Sequence, residues 1–350
     1  MAPQVFSPRS KRLPSSVRRY LGVQLTPGHW THHRHQGPHG ARQYDIYLPA
    51  GLSPRARAPM VLLLHGCQQS GMDFARESGF QAAADAAGFV LVTPRQEMQH
   101  QLQRCWRWYD SSHQRRDSGE PAILAGLTRE VLVDGPDRRI DPRRVYVAGL
   151  SAGGAMALIL ATTYPDLFAA SGVHSATAYR SATQSYRALG AMAARGSTPS
   201  HGGIGGEMAP VVLIHGTDDR VVRPPNADRI VDQWLASRDV ARTNGRNRVR
   251  PLATTRAFVV DGRRCIRTRW YTARGRRVLE YWRIDGLGHA WSGGDVRGQF
   301  VDRAGPRAAD VMWTFFGRHR LASGVADPDD IFGPDQDFAW DGGLGRSSDF

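Results

Sequence analysis

The chain has 350 residues, of which 41% are hydrophobic, 9% aromatic and 22% charged; these are the proportions of a packed protein and exclude a disordered one. Its 46 basic and 32 acidic residues give a net charge of +14. Lys11 is the only lysine, and the arginines that make up the rest are spread along the chain, so scattered surface charge is favoured over a polyanion site and no specific nucleic acid partner is expected. Cys67, Cys105 and Cys265 are too few for a disulfide-dense scaffold and lack zinc-ligand spacing.

Residues 1–42 are basic and proline-containing, with His29, His32, His33, His35 and His39 but no sustained apolar periodicity, and they read as a mobile extension. Met1 to Tyr20 is interrupted by Pro3, Pro8, Pro14 and several cations, so no secretory signal is visible and a cytoplasmic location is the reading of the N-terminus. From residue 43 to 320 the pattern alternates as in a mostly parallel sheet with helices on both faces, a single α/β domain. Strands are expected at Tyr44–Leu48 and Met60–Leu64, a helix at Phe74–Ala87 ended by Gly88, and a buried strand at Phe89–Val92 stopped by Pro94. A helix at Glu120–Val133, a strand at Val145–Val147 and a helix at Ala152–Tyr164 follow. The uncharged stretch Val145–Pro165 is long enough to span a bilayer, but its glycines and alanines favour strand, sharp turn and buried helix, and no membrane span is expected. Further strands are expected at Phe168–Val173, Val211–Ile214 and Ala257–Val260, with a helix at Ala227–Ser237. Arg267–Tyr271 and Val278–Ile284 flank Gly275 as a hairpin, and Ala308–Phe316 closes the domain. The glycine-rich run 196–206 reads as a loop able to cover a site, and residues 321–350, with seven aspartates and one arginine, as an acidic tail.

The strongest chemical signal is Gly149-Leu150-Ser151-Ala152-Gly153, set between a β-branched run and an alanine-rich helix. A serine on a strained strand-to-helix turn is exposed as a nucleophile, and small neighbours are needed because the backbone passes close to other chain. Its hydroxyl needs a histidine to take the proton and a carboxylate to orient that histidine, in the chain order Ser, Asp, His. His215-Gly216-Thr217-Asp218-Asp219 offers two carboxylates after a strand, and Gly286-Leu287-Gly288-His289 places a histidine in a flexible loop. His65 and His215 read as structural. The developing oxyanion requires two N–H donors, assigned to Ala152 and to Cys67 in the His65-Gly66-Cys67 turn. Cys67 as the nucleophile is the minor rival. Trp106, Trp108 and Trp291 are placed near these motifs and are candidates to line a substrate pocket for an acyl chain or a feruloyl ring.

The strings Leu64-His65-Gly66-Cys67-Gln68-Gln69-Ser70-Gly71, Cys105-Trp106-Arg107-Trp108, Gly149–Met156 and Gly286–Gly294 together resemble the poly(3-hydroxybutyrate) depolymerase family of esterases. The resemblance, over about Tyr44 to Phe316, implies an α/β-hydrolase fold and hydrolysis of carboxylic esters, with Ser151, Asp219 and His289 as the triad. It also implies that Cys67 and Cys105 are the pair to bridge, with Cys265 left free, and that the protein is extracellular. The missing export signal and the lack of room for polymer-adsorbing domains point to shorter soluble esters, such as hydroxyalkanoate oligomers, rather than crystalline polyester. No cofactor or metal is needed. The alternatives are a serine peptidase on the same fold and an inactive hydrolase scaffold that binds polyanions; the oligomeric state is left open.

Overall fold

The computed structural model describes residues 28–52, 57–135, 140–195, 207–240, 253–295, 297–298 and 300–322. Continuous apolar runs form the centre of the sheet. β3 (Ala58–Leu64), β4 (Val90–Pro94), β6 (Ala170–His174), β7 (Val211–Gly216) and, from Val145 onward, β5 (Ile140–Leu150) are buried throughout, as strands covered on both faces must be. With β1 (His29–Gly37), β2 (Gly40–Leu48), β8 (Thr254–Val260), β9 (Arg263–Tyr271) and β10 (Arg277–Ile284) they make a ten-stranded sheet ordered β1-β2-β4-β3-β5-β6-β7-β10-β9-β8. The inner strands, β4 through β10, run parallel, so their carboxyl ends share one edge; β1, β2, β8 and β9 pair antiparallel at the flanks.

Helices α1 (Gly71–Glu77), α2 (Phe80–Ala87), α3 (Gly119–Asp134), α4 (Ala152–Thr163), α5 (Ala188–Met192), α6 (Pro225–Val240) and α7 (Ala308–Phe316) connect the strands. They cover two hydrophobic clusters, one on each face: Leu62, Leu124, Met156 and Trp234 belong to the first, Val61, Phe80, Ile214 and Phe316 to the second. A two-stranded ribbon, β11 (Trp291–Ser292) with β12 (Val301–Asp302), stands apart. No helix among the described residues is long and apolar enough to cross a membrane.

Three expectations are corrected. Residues 29–42 belong to the fold: β1 and β2 form a hairpin in register from His29↔Leu48 to Gly37↔Gly40. The hairpin escapes a hydrophobic pattern search because its inward residues are polar and are buried by pairing, His35 on Glu130 and Arg42 on Glu120. Second, the helix expected over Phe74–Ala87 is two helices, because Gly79 takes a left-handed φ of 81° between them. Third, the Ala257–Val260 strand is one arm of a further hairpin, turned by Asp261 and Gly262 at φ 42° and 79°. The 196–206 loop and the tail from 323 lie outside the described residues.

Candidate active site

β5 delivers Ser151 to the carboxyl edge and α4 begins at the next residue. Ser151 has φ 56° and ψ −119°, a conformation that costs on the order of 1–3 kcal/mol and is kept only where the surroundings impose it. They do so through two bonds: Ser151 N–H donates to the His174 carbonyl at 2.9 Å, and the Ser151 carbonyl accepts from Ala155 N–H at 2.9 Å. The flanking glycines are forced by contact. A Cβ on Gly149 would lie 2.4 Å from the Gly153 carbonyl, and one on Gly153 would lie 2.2 Å from the Leu64 oxygen, so a side chain at the first would push α4 away from β5 and one at the second would push it away from β3.

Ser151 Oγ lies 2.9 Å from His289 Nε2, and His289 Nδ1 lies 2.8 Å from Asp219 Oδ2. Asp219 is 2% exposed. Its other oxygen accepts from the backbone N–H groups of Val221 and Val222 at 3.0 and 2.8 Å, so the carboxylate is held by both ends. Asp218 is exposed and its side chain meets the Thr217 hydroxyl instead. Of the two carboxylates that follow β7, Asp219, the triad acid implied by the family resemblance, is the one that reaches the histidine. In chemical terms a serine proton has a base to move to, and the resulting imidazolium has a buried anion beside it.

The two amides expected to face an oxyanion flank the serine. Ala152 is the first residue of α4, and Gly66 brings the β3 loop so close that a Cβ there would lie 3.7 Å from Ser151 Cβ. Neither Ala152 N–H nor Cys67 N–H donates to an acceptor among the described residues, so both are free for a substrate oxygen. The loop is braced from several sides. Gln69 Oε1 accepts from Gly66 N–H at 2.8 Å, Gln68 N–H donates to the Gln103 carbonyl at 2.8 Å, and Arg104 donates to the Gln68 carbonyl at 2.6 Å. Cys67 is bonded to Cys105 across 38 residues of chain, which removes it as a nucleophile, while Cys265 is free and buried, its thiol pushed up to about 11 by burial, then by Asp285.

His65 and His215 are structural. His65 is fully buried with Nδ1 on the Gly66 carbonyl and Nε2 accepting from Gln96 N–H, and burial pushes its pKa down to about 4. His215 Nε2 meets the Val222 carbonyl at 2.8 Å; burial lowers its pKa against the pull of Asp219. Trp106 and Trp291 are not pocket walls, and Trp108 reaches the surface only marginally. Trp106 and Trp291 are 0% exposed, with their indole N–H groups bonded to the His65 and Ser78 carbonyls, and Trp108 is 6% exposed in the core cluster. Position near a motif in sequence does not give depth below the surface.

Two features of the site were not read from sequence. One is a buried polar network under the oxyanion loop: Glu120 accepts from Arg42, from Gln96 Nε2 at 2.5 Å and from Arg107 N–H at 2.7 Å, while Gln96 also donates to the Cys105 carbonyl. Burial works to raise the Glu120 pKa, but its bonding to His113 and the charge of Arg42 outweigh it and keep the carboxyl below its usual value. The other is His174, a histidine at the carboxyl end of a buried strand, which is a position that could have flagged it. No group of three or more His, Cys, Asp or Glu among the described residues is arranged to hold a metal.

A family profile described as esterase PHB depolymerase matches residues 42–255. Poly(3-hydroxyalkanoate) depolymerase C of Paucimonas lemoignei is 31% identical over 205 residues, 56% of this chain and 48% of that protein. Feruloyl esterase B of Thermothelomyces thermophilus is 27% identical over 213 residues, 55% of this chain and 69% of that one. The chain therefore spans about half the length of the depolymerase it matches. Among solved structures, an acetyl xylan esterase from Aspergillus awamori superposes with a TM-score of 0.62 at 18% identity, covering 83% of this chain and all of that one. An acylaminoacyl peptidase of Pyrococcus horikoshii superposes at 0.53 and 14% identity, covering 91% and 46%. At these identities the two structures speak to the fold alone.

Proposed function

The chain belongs to the esterase PHB depolymerase family and has the α/β-hydrolase fold, and from that premise we propose that it hydrolyses carboxylic esters through an acyl-enzyme on Ser151. The observation that carries the reading is the continuous line from Ser151 Oγ to His289 at 2.9 Å and on to Asp219 at 2.8 Å. His289 Nε2 takes the hydroxyl proton as Ser151 Oγ attacks the ester carbonyl. The carbonyl oxygen becomes an oxyanion and receives the Cys67 and Ala152 N–H groups. Asp219 fixes the proton on Nδ1 and stabilises the imidazolium. His289 then returns the proton to the departing alkoxide, and the ester C–O bond breaks. Water, deprotonated by His289 in turn, attacks the acyl-enzyme; collapse releases the acid and restores the serine.

The substrate reading rests on exposed apolar side chains carried by segments that leave the same sheet edge. Met98, Leu102, Tyr186, Leu189 and Val221 are 50–80% exposed, and all lie on segments that leave the carboxyl ends of β4, β6 and β7, the edge that holds Ser151. Such a rim suits an ester with an apolar acyl or aryl part, in keeping with the depolymerase and feruloyl esterase relatives. The peptidase alternative has less support, since the sequence relatives reported above are named for esters. A panel of p-nitrophenyl esters of increasing chain length, with methyl ferulate, acetylated xylan and hydroxybutyrate oligomers beside it, tests both levels. Turnover lost in Ser151→Ala, with a fluorophosphonate labelling Ser151 in the wild type, is expected; labelling elsewhere or nowhere would overturn the mechanism.

A further inference from the structure

His174 stands where the two halves of the catalytic line are joined. Its backbone carbonyl accepts Ser151 N–H at 2.9 Å, which helps to hold the serine in its left-handed conformation. Its ring Nε2 accepts the backbone N–H of Ser292 at 3.2 Å, three residues beyond His289. Because Nε2 accepts from a backbone donor, the ring proton sits on Nδ1, 3.0 Å from the Ser175 hydroxyl oxygen, to which it donates. The ring lies nearly flat on Trp291, with centroids 4.9 Å apart and planes at 27°. His174 is 0% exposed. Burial first, then the neighbouring His215 and His289, keeps its pKa well below the usual histidine range, so the acceptor is retained at neutral pH.

We propose that His174 is a positioning residue for the ester hydrolysis inferred above: it ties the backbone of the nucleophile to the segment that carries the base, and thereby sets the separation of Ser151 Oγ and His289 Nε2. The inference rests on that functional reading. Upstream of His289 the segment is pinned to the Asp219 loop, with Asp218 N–H donating to the Leu287 carbonyl and Gly286 N–H to the Thr217 hydroxyl. Downstream, Trp291 is anchored to the Ser78 carbonyl through its indole N–H and to the His174 ring by stacking alone. Among the described residues, the Ser292 to His174 bond is the side-chain hydrogen bond that refers the downstream end of the His289 segment to the Ser151 turn, and it acts beside the Trp291 stack on the same ring. Without it the segment remains attached but loses its gauge, and a displacement of about 1 Å between a nucleophile and its base can cost on the order of 100-fold in rate.

His174→Phe keeps a flat ring against Trp291 and removes the acceptor, whereas His174→Gln can return an oxygen near the Nε2 position. Turnover of p-nitrophenyl acetate is measured per active site, with sites counted by fluorophosphonate labelling. The expected result for His174→Phe is kcat lower by about 10- to 100-fold with KM little changed, and a proportionate fall in the labelling rate of Ser151. His174→Gln should recover most of that loss. Ser175→Ala, which removes only the Nδ1 partner, should lower kcat in the same sense and supplies the readout should the phenylalanine variant fail to fold. Wild-type kcat per labelled serine in a folded His174→Phe, or a glutamine variant no better than it, overturns the inference while leaving the esterase reading intact. Failure of the wild type to label at Ser151 overturns the esterase reading instead, and this inference with it.

Discussion

Asp219 Oδ2 lies 2.8 Å from His289 Nδ1, while the adjacent Asp218 points its carboxylate at Thr217 and solvent. One residue of register thus separates a buried anion from an exposed one. Asp219→Asn is expected to mis-set the tautomer of His289 and lower kcat by about 10⁴-fold, because an amide nitrogen facing Nδ1 cannot accept its proton. Asp218→Asn should change kcat by less than about threefold, as a surface substitution away from the reacting groups does. Steady-state kinetics on the two variants decide it, and the reverse ranking would show the wrong carboxylate had been chosen.

The Cys67–Cys105 bond closes 38 residues of chain, which the loop-entropy relation converts to about 4 kcal/mol under oxidising conditions. Denatured, unreduced protein should therefore titrate with a single free thiol, Cys265. Cys105→Ala is expected to lower Tm by roughly 5–15 °C and to lower kcat only modestly, because the Gln69 to Gly66 and Gln68 to Gln103 bonds still shape the oxyanion loop. Three thiols in oxidatively refolded protein, or an unchanged Tm in the variant, would refute this.

Acid should weaken the fold through its buried histidines. His65, His174 and His215 all have pKa values below the usual 6.5, His65 near 4. Below pH 6.5 the unfolded chain binds protons that the folded chain refuses, so stability is full above that pH and falls as pH drops toward 4. Each such histidine contributes a slope of up to about 1.4 kcal/mol per pH unit. Urea midpoints between pH 4.5 and 7.5 should fall on the acid side. His65→Asn should flatten the slope by up to one proton, and a flat wild-type profile would contradict the assignment of neutral buried rings.

Glu120 and Arg42 are 2% and 3% exposed and hold the Cys105–Arg107 segment through Gln96 and backbone bonds. Glu120→Gln leaves the Arg42 guanidinium buried without its counter-ion and is expected to cost about 3–5 kcal/mol, whereas Arg42→Met with Glu120→Leu should be milder because no charge is stranded. Denaturant unfolding of the three proteins tests the order; a double variant worse than the single one would count against the network as the cause.

What the sequence made legible follows from pattern length and local geometry. Met60–Leu64 and Val211–Ile214 are continuous apolar runs and could be read as central strands without further knowledge. Gly149 and Gly153 announce the turn, because no side chain fits at the first where α4 meets β5 or at the second where α4 meets β3. His35 and Arg42 were not legible as core, because they are buried by carboxylates distant in sequence, Glu130 and Glu120. Trp106 and Trp291 were near the right motifs at the wrong depth. His174 offered only its place at the end of a buried strand; one ring partner, Ser175, is its neighbour, but the other, Ser292, comes from a distant part of the chain.

The apolar groups expected to meet substrate are exposed side chains, not the buried tryptophans. Trp291 contacts Phe74, Phe80 and His174 in the interior, so Trp291→Ala should cost about 3–5 kcal/mol of stability and should not act by changing chain-length preference. Leu102 and Leu189, 80% and 75% exposed on segments leaving β4 and β6, have no packing to lose. Leu102→Ser and Leu189→Ser should leave Tm nearly unchanged. Removing on the order of 1 kcal/mol of apolar contact with the acyl chain should raise KM for a p-nitrophenyl octanoate about fivefold. The acetate ester has no acyl chain to contact either leucine and serves as the internal reference, its KM expected to stay put. Equal shifts for acetate and octanoate would mean that the substitutions disturb the catalytic line rather than the rim. No shift for either variant on the longer ester would place the acyl chain away from both segments.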